Sequence, residues 1–324
     1  MVTGTLPSVR EPWVQSFIKE QIDSLKPYCD VIHTFEIKGN RIFKHIDAIL
    51  RLDSLNDDYD LIHAHYGIYG LDAHIGEYHT PLVVSLMGSD LLGTPSHDGK
   101  MIPYTRIEAA LSRYLANACD AVIVKSEEMA RVIPETRPYI IPNGVDTERY
   151  KPMNQSTARK TLNWSQDKTY ILFPSDPARP EKNYPLAIAA VTELRRRLGS
   201  SFLLIPMRGI KPKLVPVYMN ASDLILLTSL SEGSPNVIKE AMACNRPIVS
   251  VPVGDVEELI SGVAGCYLSH PDPMKIADSI TMSLMDDASD KTYGRDIIFR
   301  RHLTMTSVAE RIYEVYKFVL EGKS

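Results

Sequence analysis

The stretch from Ala221 to Ile260, ASDLILLTSLSEGSPNVIKEAMACNRPIVSVPVGDVEELI, restricts what this chain can fold into more than any other. Leu224 to Leu227 is an unbroken apolar run, and Ile248 to Val251 is a second one rich in β-branched residues. Runs apolar at every position suit strands covered on both faces of a parallel sheet. One crossover helix fits between them. Ser234 is a good N-cap, Pro235 suits a first helical position, and Asn245 can close the helix in the left-handed region. The stretch therefore reads as strand, loop, helix, strand, with the helix opening at Ser234 or Pro235.

Two carboxylates bracket that opening. Glu232 precedes it, and Glu240 falls in the second turn, roughly 8 Å further along at 1.5 Å per residue. Val237, Ile238, Ala241 and Met242 form the buried arc, which leaves Glu240 off that face with Asn236 and Ala243. The amides of Gly233 to Val237 make an anion seat in the crevice beyond the strand ends, where such sheets bind ligands. A carboxylate on each side would repel a bare anion. The layout suits a ligand whose phosphates carry hydroxyl donors on both flanks, as a nucleotide-sugar does.

The run E-G-S-P-N-V-I-K-E followed by A-M-A-C-N-R-P-I-V resembles the two-glutamate motif of the retaining glycosyltransferases of family 4, a GT-B group. The resemblance implies an α/β fold of two Rossmann-like domains facing across a cleft. It puts Glu232 on the donor sugar and Glu240 on the ribose, with Gly233, Ser234, Pro235 and Asn236 at the phosphates. It also implies a nucleotide-sugar co-substrate, a glycan or lipid-linked acceptor, no separate cofactor and no metal.

Other stretches carry the same resemblance. V-V-S-L-M-G-S-D, ending at Asp90, is similar to a family segment ending H-G-S-D, but Met87 stands where the family has histidine, so the histidine's role does not transfer and the polar contact on the acceptor side is expected from Asp90 or a neighbouring hydroxyl. Pro180-Glu181-Lys182 matches the family's P-E-K, which places Lys182, with Arg179 three residues earlier, on the donor diphosphate. Gly4 stands where the family brings a glycine loop to the phosphates. The first strand is very short, as if the record begins late. Tyr139 to Pro152 resembles the family's interdomain crossing, giving domains at 1–150 and 151–305 with a last helix, 306–324, packing back on the first.

Strands expected at 30–35, 59–65, 81–86, 121–124, 170–173, 202–206 and 264–268 alternate with helices at 13–25, 41–52, 102–118, 184–198, 273–285 and 306–321, which means parallel sheets. Asn183 is expected to cap the helix from Tyr184. His63 and His65, two apart on a strand, face one side, and His65 at the carboxyl edge can reach an acceptor. Asp58-Tyr59-Asp60 matches D-x-D formally, but it precedes a strand and reads as a turn. About sixteen residues separate the strands at 202–206 and 224–227, which implies a trimmed second domain.

Composition narrows the function classes. A net charge of -4 with no basic stripe excludes a nucleic-acid surface. Cys29, Cys119, Cys244 and Cys266 are too scattered for a zinc site or a disulfide scaffold. No leader and no apolar run near 18 residues is present, so a cytoplasmic protein is expected, compatible with peripheral membrane contact. A sugar phosphorylase or nucleotide-sugar epimerase on the same scaffold, or a silent nucleotide-sugar-binding subunit, are the alternatives.

Overall fold

A computed structural model of the chain describes residues 1–8, 16–39, 41–54, 59–76, 80–96, 98–286 and 292–322. Trp13 to Gln15, expected in the first helix, and Asn56 to Asp58 of the D-x-D stretch lie outside the described residues. The chain divides into two units: Met1–Thr94, Met101–Gly144 and Met305–Ser324 form one, Pro95–Lys100 and Val145–Thr304 the other.

The first unit runs β1 (Val2–Thr3), α1 (Ser16–Leu25), β2 (Phe35–Glu36), α2 (Arg41–Asp53), β3 (Ile62–His65), α3 (Gly67–Gly76), β4 (Leu82–Ser85), α4 (Ser89–Leu92), α5 (Pro103–Ala116), β5 (Ala121–Val124), α6 (Glu127–Ala130) and β6 (Tyr139–Ile140). Its sheet has the order β2-β1-β3-β4-β5-β6, with every pairing parallel. All residues of β3, β4 and β5 are buried, as strands covered on both faces require. Alternation then sorts side chains to two cores: Leu82 and Val84 join one, Val83 the other.

The second unit runs α7 (Gln155–Thr161), β7 (Thr169–Phe173), α8 (Tyr184–Leu198), β8 (Phe202–Pro206), α9 (Val215–Ala221), β9 (Leu224–Leu227), α10 (Asn236–Ala243), β10 (Ile248–Ser250), α11 (Val256–Ile260), β11 (Tyr267–Leu268), α12 (Pro273–Met285) and α13 (Gly294–Arg300). Its five-stranded parallel sheet has the order β11-β10-β9-β7-β8. Ile171, Phe173, Leu224 and Leu226 pack under α8 and α12, while Leu172, Ile225 and Leu227 pack under α10. The linker expected to be trimmed holds a 3-10 turn at Pro212–Leu214 and α9, and no strand. The last helix, α14 (Met305–Glu321), belongs to the first unit, where Val308, Ala309, Ile312, Val315, Tyr316 and Val319 bury one face at helical spacing.

Helices α3 and α7 went unread in the sequence. Glycine lowers helix propensity, and α3 contains three: Gly67, Gly70 and Gly76. They serve packing, because a Cβ at Gly67 would fall 1.9 Å from Ser112 Oγ on α5. Helix α7 is short and polar, and it is held by Arg159. This side chain is buried, donates to Asp223 at 2.7 and 2.8 Å, and also donates to the Ala221 and Gln166 carbonyls. Arg159→Ala strips the cationic partner from Asp223, leaving it the Tyr170 amide and Gln155, and is expected to cost about 3 kcal/mol of stability, measurable by urea unfolding.

A cavity of about 670 Å³ opens in the first unit at the amino ends of β2 and β3, lined by Tyr28, His33, Tyr59 and Tyr316 among others. None of the expected site residues lines it.

Candidate functional site

Strand order assembles the site. Neighbouring strands β7, β9 and β10 each end in a loop at the carboxyl edge of the second sheet: residues 174–183, 228–235 and 251–255. The first two loops are stitched together. Leu230 N–H donates to the Glu181 carbonyl at 2.8 Å, and Thr228 Oγ1 donates to the carbonyls of Lys182 and Asn183 at 3.1 and 3.0 Å. Asn183 takes a left-handed conformation, φ 52°, and its side chain makes no cap bond, contrary to the capping expected of it. Its kink turns the chain from the 3-10 turn Pro180–Lys182 into α8.

That stitching carries Lys182 to Glu232, with Nζ 2.5 Å from Oε1. Both side chains are 12% exposed, so the pair is largely screened from water by protein. Ser229 Oγ donates to the same carboxylate oxygen at 2.7 Å. Ser229 was not singled out in the sequence, since only the loop's path brings it back to Glu232. Arg179 behaves differently. Its side chain is 58% exposed and pairs with Glu181 at 2.6 Å, so in this structure it does not share the Lys182–Glu232 contact.

Helix α10 begins at Asn236 with Pro235 as N-cap, one residue later than the sequence reading, and no side chain caps it. Ser234, expected to cap, instead donates through Oγ to Asp255 Oδ2 at 2.6 Å and accepts from Lys239 Nζ at 2.8 Å. The amides of Asn236 and Val237 have no acceptor among the described residues, the condition in which a helix start attracts an anion. Glu240 is half-buried in the second turn. The buried arc is Ile238, Lys239, Ala241, Met242 and Ala243, which corrects the sequence reading for Lys239 and Ala243.

The third loop closes on the second through Gly254. Its φ is +54°, and a Cβ there would lie 2.6 Å from the Gly233 carbonyl oxygen and 3.0 Å from that of Glu232. Gly254→Ala combines left-handed strain with a backbone clash and is expected to cost about 2 kcal/mol. Urea unfolding together with nucleoside diphosphate titration checks this, both being expected to weaken.

The remaining expected residues lie in the first unit. Gly4 follows β1 beneath Tyr69, whose hydroxyl a Cβ would approach to 2.7 Å. The Asp90 carboxylate, 7% exposed, accepts from the amides of Met87, Gly88 and Gly67 at 2.8, 2.9 and 3.1 Å. It is turned into the fold, where burial raises its pKa and the amide bonds oppose that rise. Met87 is half-buried. His63 and His65 do share a face, with ring centroids 4.5 Å apart. His63 meets Tyr316 OH at 2.6 Å and Ser85 Oγ at 2.9 Å, whereas neither ring nitrogen of the fully buried His65 has a partner among the described residues. Burial, then the charge of Lys125, pulls the His65 pKa down to about 3.

Among the described residues no group of three or more His, Cys, Asp or Glu side chains could hold a metal ion, and no helix is long and apolar enough to cross a membrane.

Residues 18–149 match the profile of Glycosyltransferase Family 4, and residues 189–286 that of Glycosyl transferases group 1. The D-inositol 3-phosphate glycosyltransferase of Geodermatophilus obscurus is 22% identical, with 72% of this chain and 61% of the relative covered. A Bacillus subtilis protein named for teichuronic acid biosynthesis, TuaC, is 26% identical, with 72% and 64% covered. This chain thus spans less than two thirds of the length of both. The Anabaena protein HepE, solved in complex with UDP-glucose, superposes with a TM-score of 0.70 at 19% identity, covering 98% of this chain and 99% of that one. The shared architecture is the GT-B pairing of two parallel-sheet α/β domains.

Proposed function

Because this chain belongs to the family 4, group 1 glycosyltransferases, we propose that it transfers a glycosyl unit from a nucleotide-diphosphate-sugar to an acceptor hydroxyl with retention at the anomeric carbon. The observation that carries this reading is the Lys182–Glu232 pair, held where three strand-end loops meet the uncapped start of α10. Free amides and an ammonium group suit a diphosphate, and carboxylates at Glu232 and Glu240 suit the hydroxyls on either side of it.

In the reaction the bond from the anomeric carbon to the β-phosphate oxygen breaks, and the nucleoside diphosphate leaves. Negative charge grows on that oxygen, where Lys182 and the Asn236 and Val237 amides stabilise it without a metal. Arg179 is assigned to the same phosphates, reached by leaving Glu181. Glu232 orients the sugar and Glu240 the ribose. The acceptor oxygen attacks on the face the leaving group vacates, and its proton passes to the departing phosphate. The acceptor side is assigned to the first unit, where Met87 keeps solvent access while His65 and Asp90 are turned inward.

HepE's complex with UDP-glucose makes UDP-sugars the first donors to test, and TuaC's name favours a cell-surface polymer or lipid-linked glycan as acceptor. We place the reaction on the cytoplasmic side, at or near the membrane. Thermal-shift screening across nucleoside diphosphates and their sugars tests the reading: a matching donor at a hundredfold excess over Kd stabilises by about 2.7 kcal/mol. Turnover with EDTA present and an axial-to-axial NMR outcome for an α-linked donor support it. Absence of binding by every nucleotide-sugar would falsify it.

A further inference from the structure

Lysine is almost never fully buried, yet Lys239 on α10 is 0% exposed. Its ammonium points back along the helix to Ser234 Oγ, 2.8 Å away, and the Ser234 hydroxyl passes its own hydrogen to Asp255 Oδ2 at 2.6 Å. Asp255 is 6% exposed, and its other oxygen is buried with no partner among the described residues. Cation, hydroxyl and anion thus form a row, buried at its two charged ends, that joins α10, the loop that carries Glu232, and the loop that carries Gly254. Burial lowers the pKa of Lys239 and raises that of Asp255, each opposed by the other's charge.

This row is a costly way to fill space. Well-packed apolar side chains at the same positions would hold the loops as firmly or more so. What an apolar filling cannot do is fix the Ser234 hydroxyl, which would otherwise be free to rotate and cap α10 by accepting from an amide of its first turn. A capped helix start has lost a donor for an anion. A cation lodged behind that start also adds to its positive potential, an effect that a donor's phosphates feel and its base does not.

We propose that Lys239 and Asp255 are positioning residues for the donor diphosphate, acting through the Ser234 hydroxyl, which they hold away from α10 so that the Asn236 and Val237 amides stay open to phosphate. The inference rests on the glycosyl-transfer reading above and adds two residues to its donor site.

The double variant Lys239→Met/Asp255→Asn, which removes both charges together, is titrated by calorimetry with UDP, GDP, ADP, CDP and TDP and with the matching monophosphates. With the best-bound base, affinity for the diphosphate is expected to fall about tenfold, while affinity for the monophosphate changes far less. Melting temperature is expected to stay near that of the wild type. A purely structural role would move stability and leave the ratio of the two affinities alone, so a ratio within about twofold of wild type overturns the proposal. Should the double variant not fold, Asp255→Ala alone takes away the acceptor that holds the Ser234 hydroxyl off α10, and the same fall in the ratio is required of it. If the unaltered protein binds none of the five diphosphates, the glycosyl-transfer reading fails and takes this one with it; if it binds one and the variants match it, only the present proposal fails.

Discussion

Lys182→Ala is expected to lower kcat by about two to three orders of magnitude, the effect of removing one positioned donor from a developing oxyanion. The ammonium group has two tasks here. With no donor bound it neutralises Glu232 at 2.5 Å, and in the proposed reaction it turns to the diphosphate once a donor is bound. Alanine abolishes both, and it leaves Glu232 with Ser229 as its hydrogen-bond donor in a site only 12% exposed. Removing one partner of so enclosed a pair costs stability as well, about 2 to 3 kcal/mol. The two losses separate in the double variant Lys182→Met/Glu232→Gln, which removes both charges together. Its urea-unfolding free energy is expected to return close to the wild-type value while kcat stays low. Steady-state kinetics with the donor found by thermal shift checks the first half. A kcat for Lys182→Ala within about fivefold of wild type would remove Lys182 from the reaction.

Acidification from about pH 6.5 to pH 5 is expected to destabilise the first unit strongly, because two histidines are buried there without room for charge. In the unfolded chain an imidazole takes up a proton near pH 6.5, whereas burial holds His65 at about 3 and His63 well below its ordinary value. Between those limits the unfolded state binds more protons, so stability is complete above pH 6.5 and is lost as pH falls. For His65 alone the loss reaches about 2 kcal/mol at pH 5. His63 adds to it with the same sign, and the nearby charge of Lys125 opposes protonation of both rings. The raised pKa values of Asp72, Asp90 and Glu108 in this unit act in the opposite sense, but only nearer the carboxylate range. His65→Leu replaces a ring whose nitrogens lack partners among the described residues with an apolar side chain of comparable bulk. It is expected to flatten the profile by about 1.4 kcal/mol per pH unit below pH 6.5, measured by urea unfolding across the range. An unchanged slope would mean that His65 is protonated as easily in the fold as outside it.

Much of the second sheet was legible because its signals are local. Tyr184–Leu198, Phe202–Pro206, Leu224–Leu227 and Pro273–Met285 occupy the positions that their periodicity and flanking residues indicate. Strands 30–35 and 264–268 were read too long. They shrink to Phe35–Glu36 and Tyr267–Leu268, since each borders its sheet and pairs with one neighbour. Helix α3 was missed for the opposite reason: its glycines weaken the local signal, and close packing against α2 and α5 supplies what propensity does not.

The amino-acid order by itself determined the alternation of parallel strands and helices, the family, and the pair Glu232 and Glu240 around a helix start. Each of these is a pattern within a few dozen neighbouring residues. Only the tertiary structure decided which side chains meet. Lys182 reaches Glu232 because β7 lies beside β9 in the sheet, and a strand's neighbours depend on how the whole sheet winds. Lys239, set between Ile238 and Glu240, reads as one more solvated cation until the loop of Gly254 and Asp255 covers it. Burial of a charge is a property of what folds over it, and in this chain the cover arrives from fifteen residues downstream.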